Sequence, residues 1–296
     1  RSSDLFCASS LVSALLPPLA VMYVCRFLLG FAIGIASFIV PLYLSETAPA
    51  SIRGAMGTLF QLLITIGIFL ISLTNFIIAQ WISSPETALP LMFSVIVVFA
   101  GLMFAGSLFL PESPRWLMLK GRKDEATAVL QKTLNTPEDV LREIHDMEAT
   151  LGRRGFRIGN LLKGYFIKIL LVGIFLQVFQ QLVGINVMIY YAPTIFGYAG
   201  LAGMIAMMTV PTVNMLFTFP AIRLVEKWGR KKLLYVGALC MMISMTAAGG
   251  AFAYIGNPSD PAAIGLAPKG ILLAAVIFYI FGFAVSWGPV AWLVCS

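Results

Sequence analysis

Charge is what this chain has least of. Asp, Glu, Lys and Arg make up 11% of its 296 residues, against roughly 25% in a soluble globular domain, while 59% are hydrophobic. That balance excludes a water-solvated fold, and the mean hydropathy of +0.93 makes the bilayer the expected solvent. Histidine is almost absent too. The single His145 lies among Glu143 and Asp146 in a polar stretch and reads as part of a solvated face. The four cysteines, Cys7, Cys25, Cys240 and Cys295, fall in apolar runs without metal-ligand spacing, so buried free thiols are expected and a bound metal is not. No Ser/His/Asp set and no GxxxxGK phosphate loop can be assembled from what remains. Neither a catalytic residue nor a cofactor is expected, and enzyme chemistry drops out as a reading. No cleavable signal peptide is recognisable at the start.

Long apolar runs are abundant. Windows of about 20 such residues place spans near 5–18, 20–43, 55–79, 88–110, 166–198, 203–224, 233–255 and 270–296. The expected fold is all-α, a polytopic transmembrane bundle with about eight helices. A net charge of +7 could suggest a nucleic-acid partner, but the basic residues occupy alternate loops: Arg1, Arg53, the cluster from Arg115 to Lys168, and Arg223 to Lys232. By the positive-inside rule these loops are cytoplasmic, so the excess is read as topology and no nucleic acid is expected. One polar segment, 111–165, divides the helices four and four, into an N-terminal half at 1–110 and a C-terminal half at 166–296. Within it "TPEDVLREIHDMEATLG" puts Thr136 at an N-cap, Pro137 at the first helical position, Asp139 where a capping acid belongs and Gly152 at the close. A cytosolic helical linker is the expectation.

Inside the spans a few amides stand out. "FLQVFQQLVGINVMIYYAP" carries Gln177, Gln180, Gln181 and Asn186, which hydrocarbon does not solvate. On a helix Gln177, Gln181 and Gly184 share a face with Gln180 at its edge, but Asn186 falls half a turn away. One straight helix cannot aim them all inward, so Gly184 is the expected point of unwinding, a feature membranes tolerate where it lines a cavity. A primary amide offers an acceptor oxygen and two donor hydrogens, which suits the hydroxyls of a sugar. The alternative is that these amides bond neighbouring helices. Thr58, Gln61, Thr65 and Ser72 form one stripe of their span, and Asn214 lies between Pro211 and Pro220. Trp292 follows Gly288 and Pro289, an expected break, and reads either as a ring that packs on a pyranose or as an interfacial belt residue.

The halves also repeat. "VEKWGRKKLL" at 225–234 joins two spans, and its counterpart would fall at the opening "RSSDLF"; Glu46 follows Ser45 in "PLYLSE", whereas the last span ends at Ser296. The expectation is a parent of about twelve helices in two parallel repeats, with two before Arg1 and two after Ser296.

The stretches "RFLLG" (26–30), "PLYLSETAPASIRG" (41–54), "PESPRW" (111–116), "QQLVGIN" (180–186), "VEKWGRKK" (225–232) and "GPVAW" (288–292) run nearly end to end. In them the chain resembles the sugar porters of the major facilitator superfamily. The wording "YLSE", "ITIGI" and "MIYYAP" is similar to bacterial galactose- and arabinose-type proton symporters. It departs from that pattern in its short join between Tyr198 and Met204 and in lacking a Trp-Arg pair before the span at 88.

The resemblance implies a major facilitator fold in the plasma (inner) membrane, acting as a monomer on a neutral monosaccharide with a proton as coupling ion. It implies Gln61, Gln180, Gln181, Asn186, Asn214 and Trp292 as sugar contacts, beside Gln177 from the residues themselves. Tyr190 and Tyr191 match an outer gate, with Gly184, Gly288 and Pro289 at the breaks. Glu46, Arg53, Glu112, Arg115, Glu226 and Arg230 match a cytoplasmic latch, against helix-end snorkelling as the plainer reading. A facilitative uniporter and a transporter-like sensor are the alternatives.

Arg26 in "YVCRFLLGFAIG" is the one formal charge placed well inside a span, where insertion costs at least about 2.5–3.5 kcal/mol. Arg26, Gly30 and Gly34 share a face that would let another helix approach closely. In the family the matching Arg neighbours an Asp on the first helix, so an Asp before Arg1 and a role for Arg26 in proton coupling are expected.

Overall fold

The computed structural model describes residues 2–48, 53–134, 136–151, 164–198, 200, 203–255 and 265–295, and no strand occurs among them. Four helices come first: α1 (Ser2–Ala14), α2 (Leu19–Thr47), α3 (Arg53–Trp81) and α4 (Pro85–Phe109). Three short ones follow: α5 (Pro114–Leu119), α6 (Lys123–Thr133) and α7 (Pro137–Leu151). The last group is α8 (Tyr165–Leu182), α9 (Ile185–Tyr198), α10 (Met204–Trp228), α11 (Arg230–Ile255), α12 (Leu266–Gly282), a π-helical turn Phe283–Trp287 and α13 (Gly288–Cys295).

Among the described residues 7 helical stretches are long and apolar enough to cross a membrane. The eighth expected span, α1, has 13 residues. It stops ahead of Pro17 and Pro18, since the residue before a proline is disfavoured in the helical region; Leu16 there takes a left-handed φ of 45.

The chain divides into two compact units, Arg1–Met56 with Ile78–Ile167, and Gly57–Ile77 with Lys168–Cys295. In the first unit α2 buries Cys25, Leu29, Ala32 and Pro41 and presents Phe27 and Phe31 outward, the arrangement expected of a helix against lipid. Of the cysteines, Cys7, Cys25 and Cys240 are free thiols, but only Cys25 is buried; the other two are half-buried, because their helix faces turn partly outward.

The polar segment builds its own small core. Leu117 and Met118 of α5, Ala126 and Leu130 of α6, and Val140, Ile144 and Met147 of α7 pack together. The α7 start forms as the sequence implies: the Asp139 N–H donates to the Thr136 hydroxyl oxygen at 3.2 Å, and that hydroxyl donates to the Asp139 carboxylate at 2.5 Å. Gly152 lies outside the described residues. Lys123 pairs with Glu148 at 2.7 Å across α6 and α7, and that hydrogen bond holds the Glu148 carboxyl below its ordinary value.

In the second unit a core of Ile185, Met188, Ala192 and Phe196 from α9, Ala206 and Val210 from α10, Met241 from α11, and Val276, Tyr279, Ile280 and Phe283 surrounds the α8–α9 junction. Hydroxyls in the spans are satisfied by the preceding turn, as in Thr218 to the Asn214 carbonyl at 2.7 Å and Ser244 to the Cys240 carbonyl at 2.7 Å.

Candidate functional site

The site begins with an interruption. α8 ends at Leu182 and α9 resumes at Ile185, with Gly184 at φ 92, a backbone state that only glycine adopts freely. The Val183 N–H reaches the Phe179 carbonyl at 2.9 Å and the Gly184 N–H reaches the Gln181 carbonyl at 3.2 Å. The Met188 N–H then bonds the Gly184 carbonyl at 3.2 Å, which closes the first turn of α9. The Val183 carbonyl accepts instead from the Tyr279 hydroxyl of α12, at 2.7 Å.

The break redistributes the amides. Asn186 Nδ2 donates to Gln181 Oε1 at 2.8 Å, and both side chains are otherwise exposed. On an unbroken helix two residues five apart would point about 140° away from each other. Gln180 goes the other way. It is buried, and its Nε2 donates at 3.2 Å to the carbonyl of Trp287, in the π turn of the last span. Gln177 is half-buried on the turn before.

Gln180 Oε1, Asn214 Oδ1 and Asn75 Oδ1 are buried acceptors without a hydrogen-bond partner in the described structure. Each such oxygen costs on the order of 1–3 kcal/mol until a donor meets it. All three belong to the second unit, as does the polar stripe of α3, in which Thr58, Gln61 and Thr65 are buried and Ser72 is half-buried. Asn75 continues that stripe, three residues beyond Ser72, and sequence reasoning left it out.

The last span departs from expectation. A break was expected at Gly288 and Pro289, but the chain stays helical there, and the irregularity is the wider turn Phe283–Trp287 just before it. Pro289 follows the π turn directly within this continuous helical run, so its missing N–H takes one backbone hydrogen bond out of the run beside the wider turn. Gly288 matters for space, since a Cβ on it would stand 3.2 Å from Gln61 Nε2. The Trp287 indole N–H donates to the Leu234 carbonyl of α11 at 3.2 Å, and Trp292 is half-buried with its ring edge-to-face with Phe60 at 5.6 Å. Tyr279 and Trp287 are the organising residues that sequence reasoning missed; their aromatic spacing resembles any buried apolar stripe.

Tyr190 and Tyr191 are both exposed. Of the proposed latch, Glu46 accepts from the Ser113 hydroxyl at 2.6 Å, and Glu112, Arg115 and Arg230 are exposed. The side chains of Arg53 and Glu226 lie outside what is described. Arg26 is exposed, and its guanidinium lies 4.8 Å from the centroid of the Phe93 ring in α4, a cation–π contact. The close helix approach expected beside it is not found among the described residues, for a Cβ on Gly30 or Gly34 would meet nothing within 4 Å.

With this geometry in hand, comparison with known proteins is decisive for the class. The Sugar (and other) transporter family matches residues 2–296. The chain is 39% identical over 298 residues to the galactose-proton symporter of Escherichia coli K12, covering 99% of this chain and 61% of that protein. It is 34% identical over 279 residues to the D-xylose-proton symporter of the same strain, covering 92% of this chain and 54% of that protein. Among solved structures, the major facilitator proton:xylose symporter XylE bound to 6-bromo-6-deoxy-D-glucose superposes with a TM-score of 0.81 at 32% identity, over 99% of this chain and 64% of that one.

The chain belongs to the Sugar (and other) transporter family and has a part of the major facilitator fold, a multi-pass membrane protein. It spans 61% of the length of the galactose symporter it matches.

Proposed function

We propose that the complete protein moves a neutral monosaccharide across the membrane by alternating access, coupled to protons. The observation that carries this reading is the interruption at Val183 and Gly184 inside a membrane-crossing helix, with Gln180, Gln181 and Asn186 around it. Buried, unpartnered oxygens on Gln180 and Asn214 call for donors, and sugar hydroxyls supply them while accepting from the amide hydrogens. Gln61 and Trp292 complete the contact set, and the relatives named above make galactose and xylose the sugars to try first.

In this reading residues 1–110 and 166–296 are the two moving halves and 111–165 the cytosolic linker. Glu46, Arg53, Glu112, Arg115, Glu226 and Arg230 form ion pairs that part when the site opens inward. Tyr190 and Tyr191 close its outer side, with Gly184, Gly288 and Pro289 as the flexing points. Arg26 takes part in coupling the proton to sugar movement. The protein works as a monomer in the plasma membrane, its basic loops in the cytosol.

Gln180→Ala is expected to weaken sugar binding by about 1–3 kcal/mol, since hydroxyls in a dry site lose an amide partner. Equilibrium binding to the purified full-length protein checks it, and unchanged affinity there would sink the assignment of Gln180.

The function itself is tested in proteoliposomes of the full-length protein, by adding D-galactose or D-xylose and recording sugar uptake together with lumenal pH. Symport moves both. Uptake without a pH change makes the protein a uniporter, binding without uptake makes it a sensor, and neither binding nor uptake with any monosaccharide removes the reading. Arg26→Ala should keep sugar binding and lose the pH change; full coupling in that variant would take Arg26 out of the mechanism.

A further inference from the structure

The turn at Val183 and Gly184 has two ways to satisfy the Val183 carbonyl. A continuous α-helix would give it the N–H of Val187, four residues on. The structure gives it the Tyr279 hydroxyl, at 2.7 Å, from a ring that is 1% exposed and packed against Ile185, Met188 and Ile280. Glycine at 184 supplies the positive φ of that turn, while a Cβ there would stand 4.0 Å from the hydroxyl oxygen, in ordinary contact. The same turn decides where Asn186 points. With the turn unwound, Asn186 Nδ2 reaches Gln181 Oε1 at 2.8 Å; rewound, the two amides diverge.

We infer that Tyr279 is a positioning residue of the sugar site: by donating to the Val183 carbonyl, it holds the turn unwound and keeps Asn186 beside Gln181. The phenol supplies this carbonyl with the donor that a continuous helix would supply from the Val187 amide. While the phenol holds it, two amides present a joint donor and acceptor face to the pathway. The same hydroxyl ties α12, and the π turn that follows it, to the break in the neighbouring span.

The inference rests on the reading under Proposed function, so the experiment has one readout that depends on sugar and one that does not. In the full-length protein, Tyr279→Phe keeps the ring and removes only the donor. Binding of D-galactose and D-xylose should weaken about three- to tenfold, the worth of one hydrogen bond. Hydrogen exchange over Ile185–Met188 should slow, because the Val187 amide regains a helical acceptor. A residue that merely fills space would leave exchange unchanged, or raise it.

Slower exchange with weakened binding supports the inference. Unchanged exchange, or faster exchange, overturns it, and so does a Phe variant that fails to accumulate, because one positioning bond does not decide whether a protein of this size folds. Were the unaltered protein to bind no monosaccharide, the transport reading would fall, while exchange would still decide what Tyr279 does at the turn.

Discussion

Gly184→Leu is expected to reduce sugar uptake by the full-length protein to below about a tenth of normal while the protein still accumulates in the membrane. The position sits at φ 92, where a side-chain-bearing residue costs roughly 1–2 kcal/mol, and each 1.4 kcal/mol is a tenfold change in an equilibrium. Crowding at the Cβ is not the cause, because that atom would have 4.0 Å to its nearest neighbour, the Tyr279 hydroxyl. The chain relieves the strain by winding the turn into regular helix, which swings Asn186 away from Gln181 and makes one stiff rod of α8 and α9. Asn tolerates positive φ better than Leu, so Gly184→Asn should keep much of the uptake. Uptake normalised to protein in the membrane measures both. Equal losses in the two variants would show that backbone conformation is not what position 184 supplies.

Gly237→Ala should lower the thermal unfolding midpoint of the purified full-length protein by several degrees, and here crowding is the whole cause. A Cβ at 237 would stand 1.7 Å from Ser286 Oγ, 2.5 Å from Ser286 Cβ and 2.9 Å from the Gly282 carbonyl oxygen. The hydroxyl could rotate away; the other two atoms cannot move without shifting α11 against the last span. Overpacking of this kind costs about 1–3 kcal/mol or more. Ser286→Gly in the same protein removes two of the three contacts and should recover most of the loss, leaving the carbonyl as the residual. A midpoint unmoved by Gly237→Ala, or no recovery in the double variant, would mean that the helices are not pressed together at this point.

The two glycines show what could be read from sequence. Gly184 was legible because four amides in one span could not share a face of a straight helix, so a local geometric conflict pointed to it. Gly237 gave no such signal: its partner Ser286 is far along the chain, and nothing near it in sequence is in conflict. The spans were legible from hydropathy because lipid demands a continuous apolar run, and the start of α7 because Thr136, Pro137 and Asp139 form their cap among themselves. Tyr279, Trp287 and the π turn Phe283–Trp287 were not, since each is defined by a partner on another helix. The turn drew attention to "GP" instead, a few residues too late. Arg26 was read as needing a partner, but Phe93 was passed over because an aromatic ring in an apolar span looks like packing.

Dividing one span into helices of 18 and 14 residues also has an electrostatic consequence. The carbonyl end of α8 and the amide end of α9 meet at the same depth, with partial charges of about −0.5 and +0.5. Their sum is close to zero, but the field between them changes steeply over a single turn. An ion of either sign is drawn by one end and repelled by the other, whereas an O–H bond can lie along the gradient with its hydrogen toward the carbonyls and its oxygen toward the amides. This polarity belongs to the backbone, so it does not titrate. Any pH dependence of the proposed transport must then come from titratable groups elsewhere, because the backbone field at the junction is the same in acid and in base.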